Sequence, residues 1–153
     1  MATHASYKPQ FYVDALKLEE ADLAFPLVRA IAPEVSLEEW VDYVERRCRE
    51  GGLMGLFGAD DVLTGLFSYR FGERLRHGRV LALDDFVTFE LSQAAPARRA
   101  LITAAADLAR SLGCTGLEVR VGQRGLAHAA SPRARGWLAL GLALDSVIFV
   151  KPL

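Results

Sequence analysis

Asp84 and Asp85 are adjacent carboxylates inside Leu81–Thr88, a run that is otherwise mostly apolar. A carboxylate in a half-buried strand can have a raised pKa, which suits a general base or an anchor for an amine. Strand alternation sends the two side chains to opposite faces, so one can serve chemistry while the other bonds a neighbouring element or is solvated. Arg98 and Arg99 fall just after Pro96, in the first turn of a segment with helical spacing. The helix dipole disfavours cations there, and an anion above that helix end would relieve the conflict. Without such an anion they are surface arginines. His128 follows Gln123 and Arg124 in a polar stretch and is either a proton-transfer group or a structural histidine. The sequence has no Ser-His-Asp order, no metal-spaced His/Cys cluster and no Walker loop, so hydrolase and metalloenzyme readings have no support.

The elements that must position these residues follow from periodicity. Leu81–Thr88 alternates as a strand. After the loop Glu90–Ala95, Pro96 opens a helix with Leu101, Ala105, Leu108 and Leu112 on one face, and Gly113 stands where a left-handed C-terminal residue is wanted. A strand from Gly116 to Val121 closes this strand–loop–helix–strand unit. Upstream, Phe11–Leu16 reads as a strand, and Asp22 can cap a helix to Ile31 with Leu23, Leu27 and Ile31 inward. Ser36 and Glu39 make a capping box for a second helix, in which Leu37, Trp40, Val41, Val44 and Cys48 form the buried face, ended by Gly51-Gly52. Leu53–Gly58 and Val62–Phe71 read as a hairpin around Ala59-Asp-Asp61, with Gly65 marking a bulge or close approach. Ser146–Val150 is the expected last strand.

Asp84-Asp-Phe-Val-Thr88, the loop, and Arg99-Ala-Leu-Ile102 resemble motif A of the GCN5-related N-acetyltransferases, the GNAT superfamily. The resemblance implies an α/β fold with a mixed, mostly antiparallel sheet (α+β mixed sheet), helices on both faces, and parallel central strands that diverge into a V-shaped cleft. It implies acetyl-CoA as co-substrate, held through Val87, Thr88, Gln93, Ala97, Arg98, Arg99 and Ala100. Proton traffic falls to Asp85, Asp84 or His128, and Asp85 is favoured because it shares a strand face with Val87. The family's loop pattern falls on Gln93, Pro96 and Arg98: Gln93 matches, while Pro96 and Arg98 stand where small residues are usual. The family's tyrosine acid falls on Ser131 or Trp137, neither of which is a tyrosine. The implied activity is transfer of an acetyl group to a primary amine of a small molecule or peptide, with a homodimer among the implied assemblies. The rival reading is a GNAT-like module, a coenzyme-A sensor or dimeric interaction domain, whose transfer chemistry has decayed.

Composition narrows the partners. The chain of 153 residues is 52% hydrophobic and 24% charged, enough for one domain with a sizeable core. A net charge of -1 with acidic residues interspersed among the arginines argues against nucleic acid. Cys48 and Cys114 are far apart and are expected as reduced, buried thiols. No run is long and apolar enough to span a membrane, and Met1–Gln10 lacks a signal peptide's apolar core, so a cytoplasmic location is expected.

Overall fold

A computed structural model describes residues 10–90, 94–122 and 131–153. The chain divides into two compact units, Met1–Val121 and Gly122–Leu153. In the first unit, β1 (Phe11–Ala15) leads through a short 3-10 turn to α1 (Ala21–Ile31) and α2 (Leu37–Glu50). Then come β2 (Gly51–Gly58), β3 (Leu63–Arg74), β4 (Gly78–Thr88), α3 (Pro96–Ser111) and β5 (Gly116–Val119). The sheet runs β1-β2-β3-β4-β5, with every neighbouring pair antiparallel except β4 and β5, which are parallel. The mixed sheet, the parallel central pair and the hairpin around Ala59–Asp61 agree with the sequence reading. Asp61 turns that hairpin with φ 63.

The apolar layer beneath α1 and α2 joins Ala24, Val28, Trp40 and Val44 to Leu53, Leu66 and Val87 of the sheet. α3 covers the opposite face through Ala97, Leu101, Ile102, Ala105 and Ala109. The α2 capping box forms as expected: Glu39 N–H donates to Ser36 Oγ at 3.2 Å, and Ser36 N–H donates to Glu39 Oε2 at 2.8 Å. Gly51 ends the helix by passing straight into β2. A Cβ there would lie 1.9 Å from the Tyr69 carbonyl oxygen, so only glycine allows that approach.

Several local expectations are corrected. α1 buries Ala21, Ala24 and Val28, while Leu23 and Ile31 are exposed. The indole of Trp40 lies against the start of α1 and donates to the Ala21 carbonyl at 2.8 Å, which turns Ala21 and Ala24 inward, while Leu27 packs partly buried against the same cluster. Asp22 lies inside the helix and accepts from Leu23 N–H rather than capping the end. In α2 the inward stripe is Trp40, Tyr43, Val44 and Arg47; Leu37 and Cys48 are exposed. Leu112, beyond the end of α3, is exposed. β5 stops at Val119.

The second unit contains α4 (Pro132–Leu138), capped by Ser131 Oγ, which accepts from Ala134 N–H at 3.2 Å. Residues 142–153 carry no regular structure, so Ser146–Val150 is not a strand. β-propensity alone does not produce a strand, and Phe149 is 94% exposed.

Trp40 is 2% exposed and joins α1 to α2, so Trp40→Ala is expected to cost roughly 3–5 kcal/mol in denaturant unfolding. Ser36→Ala, which removes only the cap, should cost about 1 kcal/mol in the same measurement.

Candidate active site

β4 carries one more residue than β3 where they cross the site. Leu66 pairs with Val87 and Ser68 with Asp84, so Phe67 alone faces both Asp85 and Phe86. Asp85 takes a left-handed backbone, φ 53, which aspartate tolerates better than most residues. The bulge overturns the expected alternation: both carboxylates lie on the α2 side of the sheet, joined there through Tyr43 and Arg47.

Asp85 Oδ2 accepts from the Tyr43 hydroxyl at 2.5 Å and from Ser68 Oγ at 2.6 Å. Its Oδ1 has no hydrogen bond among the described residues. Tyr43 in turn accepts from Arg47 Nη2 at 2.7 Å, and the guanidinium lies over the Tyr43 ring, 5.0 Å from its centroid. Burial, followed by the bond to Asp85, pushes the Tyr43 phenol above its usual pKa. For Arg47, burial opposes the charge, but Tyr43, Asp84 and Asp85 outweigh it and the pKa rises.

Asp84 stands among three cations. Arg70 Nε donates to Oδ2 at 3.0 Å, Arg47 Nη2 lies 3.6 Å from Oδ2, and Arg120 Nη1 lies 3.6 Å from Oδ1. These contacts commit Asp84 to charge balance, whereas Asp85 has only hydroxyl partners and one open oxygen. The pair sits where the sheet opens. β4 and β5 pair from Val80–Gly116 to Leu83–Val119, Arg120 N–H bonds the Leu83 carbonyl, and beyond that point β4 has no parallel neighbour among the described residues.

α3 begins at Pro96, with Ala95 before it at φ 48. The Arg98 N–H donates to Glu90 Oε1 at 2.6 Å, and the Arg99 N–H bonds the Ala95 carbonyl. A carboxylate of the chain itself thus meets the positive end of this helix.

No protein-family model matches the chain, and no curated protein matches its sequence. Solved structures do match. An aminoglycoside N-acetyltransferase in complex with CoA aligns at TM-score 0.74 and 14% identity, over 93% of this chain and 94% of that one. Ribosomal-protein-alanine N-acetyltransferase from Brucella melitensis biovar Abortus 2308 aligns at TM-score 0.71 and 17% identity, over 94% and 99% of the two chains. An acetyltransferase from Trypanosoma brucei aligns at TM-score 0.69 and 18% identity, also over 94% and 99%. The chain has the GNAT acetyltransferase fold.

In this GNAT fold Val87 is buried in the core layer and Thr88 ends β4. Ala97 is buried, Arg98 and Ala100 are half-buried and Arg99 is exposed. Gln93, Gln123, Arg124 and His128 lie outside the described residues. Tyr43, Arg47, Ser68, Arg70 and Arg120 escaped the sequence reading. The spacing Trp40, Tyr43, Val44, Arg47 carried a signal: Tyr43 and Arg47 continue a buried helical stripe with polar side chains.

Asp84 is 6% exposed and neutralises guanidiniums, so Asp84→Asn should lower unfolding free energy by roughly 3 kcal/mol. Tyr43 adds a pH signature. Its folded pKa is raised above the unfolded value of about 10, so its stabilisation is complete below that pH and fades as pH rises further. Tyr69 shifts the same way, chiefly through burial. Unfolding of Tyr43→Phe followed above pH ~10 should therefore show a shallower alkaline loss than the parent, not a vanished one.

Proposed function

We propose that this protein transfers an acetyl group from acetyl-CoA to a primary amine, with Asp85 as general base. The observation that carries this reading is the bulge of β4. It holds a carboxylate oxygen open at the point where β4 and β5 stop pairing. Acetyl-CoA, when bound, supplies the acyl carbon as a reactive thioester. The β5-facing edge of β4 beyond Leu83 lacks a strand partner among the described residues and suits an extended arm bearing amides. Asp85 Oδ1 accepts the proton lost by the amine as the new C–N bond forms and the C–S bond breaks. Tyr43 and Ser68 fix the carboxylate through Oδ2, so that little reorientation is needed. The departing thiolate takes a proton from solvent or from a group delivered to it.

Arg98 and Arg99 suit the pyrophosphate, and Glu90 opposes it. The bond from Arg98 N–H to Glu90 favours a second reading, a GNAT-fold module in which an internal carboxylate has replaced the cofactor's anion. Calorimetry with acetyl-CoA separates the two. Under the enzyme reading the protein binds acetyl-CoA, Arg99→Ala weakens binding about ten- to a hundredfold, and Glu90→Gln tightens it. No binding by the parent or by Glu90→Gln would favour the module.

Thiol release measured across an amine panel tests the chemistry. Asp85→Asn should lower kcat about a hundredfold or more while leaving acetyl-CoA affinity near the parent value. An unchanged kcat would remove Asp85 from the mechanism.

A further inference from the structure

Beside the open carboxylate, two guanidiniums that reach solvent share one partner. On the α2 side of β3, β4 and β5 stand Arg47, Arg70, Arg74 and Arg120 with Asp84, Asp85, Glu118 and Glu50, the last of which lies 3.4 Å from Arg47. Both oxygens of Glu118 are taken by Arg74, at 2.7 and 2.8 Å, which closes that pair on itself. Asp84 then meets three guanidiniums with one charge. Arg47 also meets Glu50 at 3.4 Å, which leaves Arg70 and Arg120, the two that reach solvent, sharing Asp84. Arg70 is 30% exposed and spends only Nε on Asp84, while Arg120 is 54% exposed and makes an ion pair at 3.6 Å without a side-chain hydrogen bond. At that exposure the Arg120 contact holds its side chain weakly. Its planar fork remains available, and such forks match carboxylate and phosphate oxygens in pairs.

We infer that the acceptor is a small amine bearing an anionic group, carboxylate or phosphate, which Arg120 and Arg70 grip beside Asp84 while the amine faces Asp85. This rests on the acetyl-transfer reading and sharpens it to a substrate class. The geometry fits a short separation between the two groups, because Asp84 and Asp85 are sequence neighbours turned to one face by the bulge. An acid group beside the amine pairs with these two shared guanidiniums and orients the nitrogen toward the open oxygen.

Binding and turnover are tested together with matched probes in the presence of CoA or acetyl-CoA. The probes are L-α-amino acids against their carboxamides, and phosphoethanolamine against ethanolamine. Calorimetry reads binding and thiol release reads turnover. The expected result is that at least one anionic member binds tenfold or more tightly than its neutral partner. The preference should shrink with added salt and fall about tenfold in Arg120→Gln, a substitution at an exposed side chain that leaves the core intact. The carboxylate and phosphate pairs show which anion is taken. Equal or weaker binding of every anionic member, or a preference that survives both Arg120→Gln and Arg70→Gln, overturns the inference. Because binding is read separately, anionic preference without turnover leaves the inference standing and defeats the acetyl-transfer reading. Turnover without that preference does the reverse.

Discussion

The extra residue of β4 opposite Phe67 is the constraint on which the site depends. Regular alternation would send Asp84 and Asp85 to opposite faces, turning one of them into the layer under α3 that Leu101, Ile102 and Ala105 line. A carboxylate there would face apolar side chains, at a cost of several kcal/mol. The bulge instead places both on the α2 side. The left-handed backbone of Asp85 costs on the order of 1 kcal/mol, and two charge-assisted hydrogen bonds, from Tyr43 and Ser68, offset that strain. Local strain and the open oxygen are therefore one feature.

One helix serves both stability and the site. Trp40 and Val44 of α2 hold the apolar layer, and Tyr43 and Arg47 extend the same stripe toward β4 as the layer ends. The registry of the apolar contacts fixes where the phenol and the guanidinium arrive. Electrostatics then separates two chemically identical residues. Asp84 is held by guanidinium charge, for which a contact near 4 Å amounts to about 4 kcal/mol at an effective dielectric of ~20 before desolvation. Asp85 is held by neutral hydroxyls, which fix its orientation and leave one oxygen open.

The start of α3 poses an opposite problem. Two arginines in a first helical turn call for an anion, and Glu90 provides one from within the chain. A site that satisfies itself is stable without ligand, and any phosphate that enters must displace or share that carboxylate. The loop differs from the glycine-rich pattern in this respect: a charged side chain stands near donors that small residues would leave bare.

The parallel central pair followed from the family resemblance. By itself the sequence determined the order of elements through β5, the capping box at Ser36, the hairpin and the start of α3 at Pro96. These are set by local chemistry: side-chain oxygens capping N–H groups, proline's missing donor, and the periods of strand and helix. It also singled out Asp84 and Asp85, since adjacent carboxylates in an apolar strand need a reason. Only the tertiary structure decided which way they point, because a bulge arises from the pairing of two strands and leaves no mark in the alternation of one. The partners Tyr43 and Arg47 come from α2, Ser68 and Arg70 from β3, and Arg120 from the end of β5, so their meeting is fixed by sheet order and helix docking rather than spacing. The same logic accounts for Ala24 in place of Leu23 inside α1, where docking against Trp40 of α2 chose the inward face, and for Ser146–Val150, where alternation alone did not make a strand.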